Sequence, residues 1–288
     1  MSTMRASARR SPAGAIGLVT MLAIALVLGA CSPSGAVQAR DTVALELAVA
    51  SGTPVRVATF NGGIDVATTQ DPVVSASVTR TGEGADAQAA EADRDAIAVT
   101  LELVDGVAVL RALYTPSPDS ISGGRGAAVA LRVPAATRLE LATSNGPITV
   151  KDTTGGLAAQ TSNGPVELTG VSGSLSVSTS NGPVTVSASA PAALDLHTSN
   201  GGITFDGSLE PGDATLETSN GPIELRLPAD AAFTIDASTS SASATSEFDI
   251  AGTVSDRELK GLVGAPEEAA ATTITLSTSN GAIGLRQR

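Results

Sequence analysis

The 288-residue chain has no tryptophan, one tyrosine, one histidine and one cysteine, and aromatic residues make up 2% of it. A single cysteine, Cys31, excludes an internal disulfide. A single histidine, His197, rules out a Cys/His metal cluster and leaves a catalytic triad without its partner. With only Phe60, Tyr114, Phe205, Phe233 and Phe248 as aromatics, neither a thick globular core nor an aromatic protein-binding hot spot is expected. Cations are also scarce, 17 Lys and Arg against 29 Asp and Glu. Three of those cations precede Cys31, so the chain from Cys31 onward carries 14 against 29, a formal charge of −15. Such a balance opposes nucleic-acid binding, which needs many phosphate contacts, and provides no basic patch for anionic lipid headgroups. The Gly-rich segments lack a phosphate-loop lysine, so neither nucleotide, other cofactor nor metal is expected.

Ala, Val, Leu, Ile, Thr, Ser and Gly dominate, which suits thin layers of small side chains. At the N-terminus, Arg5, Arg9 and Arg10 precede an apolar run from Ala15 to Leu28, and then Leu28-Gly29-Ala30-Cys31. The run is shorter than the roughly 20 residues that span a bilayer. Basic start, short apolar run and small residues before a cysteine together resemble a bacterial lipoprotein signal, residues 1–30, with Cys31 as the lipidated residue. Residues 31–40 then read as a tether. The expected location is extracytoplasmic, on the cell membrane or the outer membrane, with attachment resting on the lipid at Cys31.

From Asp41 the chain alternates apolar and polar, predicting a β-rich section over 41–135. Glu83 to Arg94 reads as a short helix or loop, and Asp105-Gly106 as a primed hairpin turn. Residues 136–288 are a repeat. All seven asparagines (Asn61, Asn145, Asn163, Asn181, Asn200, Asn220, Asn280) are followed by glycine. Six of the seven copies read Thr-Ser-Asn-Gly, and Asn145 to Asn220 recur at steps of 18, 18, 19 and 20 residues. Spacing of this kind predicts an all-β, parallel β-solenoid of roughly 18–21-residue coils. Apolar parity inverts across the motif, Leu139 and Leu141 before it and Ile148 and Val150 after it, so the chain turns a corner there. A two-residue hairpin is excluded because Pro147, Pro165, Pro183 and Pro222 follow the glycine and have no N–H to donate across the turn. Parity also places the asparagines inward with the leucines, where stacked amides would bond along the coil axis. A step of 21 residues from Asn220 to Ser241 continues the series, and 242–271 departs from it.

The run Leu139 to Val150, the recurring Thr-Ser-Asn-Gly-Pro strands and the closing Leu276 to Ile283 resemble the bacterial β-strand-repeat family of unknown function that carries the name "putative adhesin". That resemblance implies a surface-exposed, adhesin-like β-solenoid without a known catalytic site; the Thr- and Ser-rich outer surface suits scaffolding or binding of envelope glycan or a surface protein. Outward Thr149, Thr185, Thr204, Ser176 and Ser178 are the candidate binding face. An alternative is an auxiliary of envelope-stress sensing whose acidic surface captures cationic peptides. A second alternative is a polysaccharide-active β-helix enzyme using outward Glu167, Asp195, Glu217 or Glu224, disfavoured by the scarcity of Lys and Arg between 152 and 225. As solvated carboxylates these four acids need no such role.

Overall fold

The computed structural model describes residues 20–24, 36–115, 124–188, 191–269 and 271–288. Cys31 and most of the apolar run lie outside the described residues. Before the repeats the chain forms β1 (Thr20–Ile24), β2 (Val37–Ala48), β3 (Val55–Thr59), β4 (Ile64–Thr69), β5 (Val73–Gly84), α1 (Ala87–Asp95), β6 (Ile97–Val104), β7 (Val107–Tyr114) and β8 (Gly126–Pro134). The repeats then give one strand before and one after each corner: β9 (Leu139–Thr143) and β10 (Ile148–Lys151), β11 (Leu157–Gln160) and β12 (Val166–Val171), β13 (Ser174–Thr179) and β14 (Val184–Ala188), β15 (Ala193–Thr198) and β16 (Ile203–Gly207), β17 (Gly212–Thr218) and β18 (Ile223–Leu227). Beyond them come β19 (Phe233–Thr239), β20 (Ala244–Ser246), β21 (Ala251–Val254), β22 (Glu258–Val263), α2 (Pro266–Ala269), β23 (Thr272–Thr278) and β24 (Ile283–Gln287).

These strands form two 12-stranded sheets, an all-β parallel solenoid. The pre-corner sheet runs β6-β7-β3-β9-β11-β13-β15-β17-β23-β19-β22-β21; the post-corner sheet runs β1-β2-β5-β8-β4-β10-β12-β14-β16-β18-β24-β20. Within the repeats every pairing is parallel, and like positions stack, for example Leu175 beside Leu194 and Val184 beside Ile203, with one register shift at Thr169/Val171 where β12 meets β14. The core between the sheets is one layer of Leu, Val and Ile from each side. Leu196, Phe205, Leu216 and Leu225 are fully buried there, each contributing about 1.5–3 kcal/mol relative to exposure.

Each position of Thr-Ser-Asn-Gly has a separate task at the corner. The threonine points inward and its hydroxyl donates to the glycine carbonyl of the neighbouring coil: Thr161 to Gly146 at 3.2 Å, Thr179 to Gly164 at 3.2 Å, Thr198 to Gly182 at 3.0 Å, Thr218 to Gly201 at 2.9 Å and Thr278 to Gly221 at 3.1 Å. The serine carbonyl accepts the asparagine N–H of the next coil, as from Asn181 to Ser162 at 3.0 Å. The glycine is demanded by close approach. A Cβ on Gly164, Gly182, Gly201, Gly221 or Gly281 would fall well inside van der Waals contact of the glycine carbonyl in the coil beneath. Proline then costs no hydrogen bond, because its carbonyl is what the neighbouring strand uses: Ile148 N–H donates to Pro165 O at 3.0 Å and Val166 N–H to Pro183 O at 3.0 Å.

The asparagine side chains stack, but not where parity put them. Asn145, Asn163, Asn181, Asn200, Asn220 and Asn280 are exposed on the outside of the corner. The inward alternation ends at the threonine, since the backbone begins to turn at the serine and swings the asparagine out. From Asn163 onward each Nδ2 donates to the Oδ1 of the previous asparagine at 2.7–2.8 Å. Asn61 departs from this row and donates instead to the Arg125 carbonyl.

Chain order and stacking order also differ at both ends. The coil β3/β4 lies between β7/β8 and β9/β10, so the parallel stack begins within residues 41–135. At the other end β23/β24 inserts between β17/β18 and β19/β20, so Ser241 does not follow Asn220 in the stack; Asn280 does. The copy at Thr278 to Gly281 is complete and can take a neighbour on both sides. Residues 239–242, Thr-Ser-Ser-Ala, have neither asparagine nor glycine and take the terminal place, where one neighbour suffices. Residues 251–263 then turn back as antiparallel β21 and β22 and cover β19. At the opposite end α1 packs on β2, β5 and β6, N-capped by Asp86, whose carboxylate accepts from Ala89 N–H at 2.8 Å. Gly82 and Gly84 let its backbone lie directly on β5. The Asp105-Gly106 turn has positive φ at both residues, 51° and 80°, the primed hairpin geometry.

These placements rank three substitutions. Thr198→Val should cost about 1–3 kcal/mol, because it strands a buried carbonyl, and Asn181→Ala less, because water can replace an exposed amide. Gly201→Ala should cost at least as much as Thr198→Val by forcing two backbones apart. Urea unfolding of the three variants tests the order, and an Asn181→Ala effect larger than the other two would refute it.

Candidate functional surfaces

Alternation along each strand puts every second side chain outside, and in-register stacking turns those side chains into rows. On the post-corner sheet one row reads Asp65, Thr149, Glu167, Thr185, Thr204, Glu224. The pre-corner sheet presents Glu140, Ala158, Ser176, Asp195, Thr215, and beside it Ala142, Gln160, Ser178, His197, Glu217. The five hydroxyl residues expected on a single binding face therefore divide. Thr149, Thr185 and Thr204 share a row on one sheet, whereas Ser176 and Ser178 lie on the other. The inversion of parity at the corner accounts for this, since it sends outward residues before and after the motif to different faces.

Both faces are hollowed. On the post-corner sheet two adjoining depressions of about 380 and 270 Å³ share Asp65, Ser77 and Ala130 and form one trough across β2, β5, β8, β4 and β10. Its floor is small, Ala44, Ala67, Ala128 and Ala130, and Ser75, Ser77, Thr79 and Thr149 supply hydroxyls. Glu46, Asp65 and Arg132 bring charges of both signs. The trough was not legible from the repeat motif, because four of its five strands come from outside residues 136–288; Thr149 alone among the expected residues reaches it. The second hollow, about 310 Å³ on the pre-corner sheet, is lined by Glu140, Gln160, Ser176 and Ser178 over Ala142 and Ala158. Glu140 is held by Arg56 at 2.7 Å.

The four outward acids also separate, Glu167 and Glu224 on one sheet and Asp195 and Glu217 on the other. Glu224 is tied to Arg226 at 2.7 Å, and His197 Nδ1 lies 3.7 Å from Glu217, both half exposed. Among the described residues no group of three or more His, Cys, Asp or Glu is arranged to hold a metal ion. Likewise, among the described residues no helix is long and apolar enough to cross a membrane.

The densest charge cluster lies at the α1 end. Asp93, 2% exposed, accepts from Glu83 N–H at 3.0 Å and from the Tyr114 hydroxyl at 2.7 Å, and pairs with Arg125 at 3.3 Å. Arg125 in turn lies 4.5 Å over the Tyr114 ring. Arg80 forms a forked pair with Asp41 and donates to the Ile97 carbonyl at 2.9 Å. That pairing raises the Arg80 pKa and keeps the guanidinium charged. The arrangement pins α1, β2, β5, β7 and the start of β8 to one another, which is the work of a cap.

The family model described as Toastrack DUF4097 matches residues 135–286. The chain belongs to the Toastrack DUF4097 family. Two solved structures resemble this Toastrack chain across most of its length. A protein of Clostridium sporogenes, described as a "putative cell adhesion protein", is 10% identical, with 94% of this chain and 100% of that one covered and a TM-score of 0.33. A "putative adhesin" from Bacteroides fragilis is 12% identical, with 86% and 97% covered and a TM-score of 0.32. No curated protein matches the sequence.

The two charged regions should respond unequally to truncation. Asp93→Ala removes the buried carboxylate that accepts from Glu83 N–H and the Tyr114 hydroxyl and pairs with Arg125, and should cost about 3–5 kcal/mol, whereas His197→Ala on the open face should change stability by less than about 0.5 kcal/mol. Thermal unfolding of both variants checks this, and a stable Asp93→Ala protein would remove the cap assignment.

Proposed function

We propose that this Toastrack protein is a non-enzymatic surface lipoprotein, anchored through lipid on Cys31, that presents the post-corner trough to an envelope polymer, with glycan the favoured class. The observation that carries the reading is the trough itself. Its alanine floor admits close approach of a flat ligand, and its walls offer four hydroxyls and two carboxylates as hydrogen-bond partners. The scaffold beneath it is held together by strand pairing and by corner threonines, Thr59 donating to the Ala127 carbonyl at 2.8 Å and Thr143 to the Gly62 carbonyl at 2.9 Å, so the backbone that carries the hydroxyls is set before binding. The anchor is supported by the basic start, apolar run and cysteine of residues 5–31. Adhesin-like contact is then a matter of holding this face away from the membrane.

The test uses the full chain produced in a bacterium that processes lipoproteins, its intact mass and attached lipid read by mass spectrometry, and its retention of fractionated envelope measured at low and physiological salt. Mature chains should begin at a diacylglyceryl-modified Cys31 and should retain glycan in a salt-resistant way. Ala130→Trp, which fills the trough, should abolish retention, and Ser178→Trp, in the hollow of the other sheet, should not. Retention lost only with Ser178→Trp would move the site to the pre-corner face. Salt-sensitive capture of cationic peptides alone would replace the adhesin reading with the stress-sensing one.

A further inference from the structure

A parallel stack must end in strands with unpaired N–H and C=O groups, and such edges pair with other chains unless they are shortened or covered. The two ends of this molecule differ in that respect. At the C-terminal end the edges are β20, three residues long, and β21, four residues long with Gly252 within it. At the other end the post-corner sheet finishes in β2, twelve residues paired along their whole length with β5. Its outer edge is taken by β1, antiparallel, from Thr20 opposite Glu46 to Ile24 opposite Thr42. β1 belongs to residues 1–30, the segment read as the lipoprotein signal. Removing that segment uncovers the longest sheet edge among the described residues.

We propose that this edge is the self-association site of the mature lipoprotein, two copies pairing antiparallel through β2 about a two-fold axis at Val43. The inference rests on the processing of residues 1–30 and goes beyond the trough reading. Second copies are favoured over other strands by charge. Along β2 the even-numbered side chains face outward, and the charged ones among them are Arg40 and Glu46, both exposed. Those two are equidistant from Val43. In the register centred there, Arg40 of one copy lies directly opposite Glu46 of the second copy, and the symmetry makes the pair twice. Shifting the centre by one residue either way sets Arg40 against Ala44 or Ala48 and leaves both charges without partners. The strand carries no proline and no outward like-charge pair that would oppose the match. Because Ala44 and Glu46 also line the trough, pairing would place two troughs side by side across the axis on one continuous sheet.

The experiment compares the processed wild-type chain with a Cys31→Ser chain that keeps residues 1–30, both extracted in mild detergent, their N-termini confirmed by intact mass and their association measured by sedimentation equilibrium. Processed chain should be dimeric and the Cys31→Ser chain monomeric. Arg40→Glu and Glu46→Arg should each weaken the dimer about tenfold, since each sets two like-charge pairs opposite one another, and the double variant R40E/E46R should restore it. A processed chain that stays monomeric, a dimer indifferent to the single charge reversals, or a Cys31→Ser chain that dimerises equally well would overturn the proposal while leaving the lipoprotein reading intact. Wild-type chain that retains residues 1–30 would overturn both.

Discussion

The approach of one glycine to the glycine of the next coil sets the geometry of this molecule. At the corner two backbones meet with no room for a Cβ, and the carbonyl exposed by that contact is buried. A buried carbonyl without a donor would cost about 1–3 kcal/mol, and the coil above supplies the donor from the threonine three residues before its own glycine. Threonine suits the place because its methyl group completes the apolar layer while its hydroxyl reaches the carbonyl. Close packing and hydrogen-bond satisfaction are thus met by two residues of one tetrapeptide. Repeating that tetrapeptide fixes coil spacing, register and the inversion of parity that closes the section.

Seen this way, the asparagine row is a consequence. Once the corners stack at the strand spacing of about 4.8 Å, consecutive amides are within reach and bond along the outside. A fully aligned amide ladder could occur inside or outside, and sequence parity alone pointed inside, because Leu139, Leu141, Thr143 and Asn145 share odd numbers. Parity holds only while the backbone stays extended, and at Ser144 it does not. The same reasoning explains why Asn61 leaves the row: its outer neighbour, the β7/β8 coil, has no asparagine, and the Arg125 carbonyl is the acceptor at hand.

What the sequence made legible was the local rule. Period, corner, strand direction and the inward leucines all followed from Asn-Gly-Pro spacing and from proline's missing N–H. Stacking order did not follow, because every coil obeys the same rule and no local signal says which coil is next. The inserted coils β3/β4 and β23/β24 are settled by which copies are complete enough to be sandwiched, visible in Thr278 to Gly281 against residues 239–242. The trough was hidden for a related reason. Its strands β2, β5 and β8 show ordinary alternation, and only the sheet order β2-β5-β8-β4-β10 brings Ala44, Ser77, Ala130, Asp65 and Thr149 together.

The ends of the stack connect this local rule to function. An interior coil has both edges satisfied, so adding coils lengthens the molecule without opening a new edge, and unpaired edges arise only where the repetition stops. Here it stops in two ways. At the C-terminal end an incomplete motif, a returning hairpin and very short edges close the stack. At the N-terminal end a buried charge network anchors a helix over the core, and the sheet continues past it into β5 and β2, whose outer faces form the trough together with those of β8, β4 and β10. Strands of the N-terminal section, joined by β10, carry the candidate binding surface and the candidate edge, while the repeats supply the distance and stiffness that put both of them at a defined place.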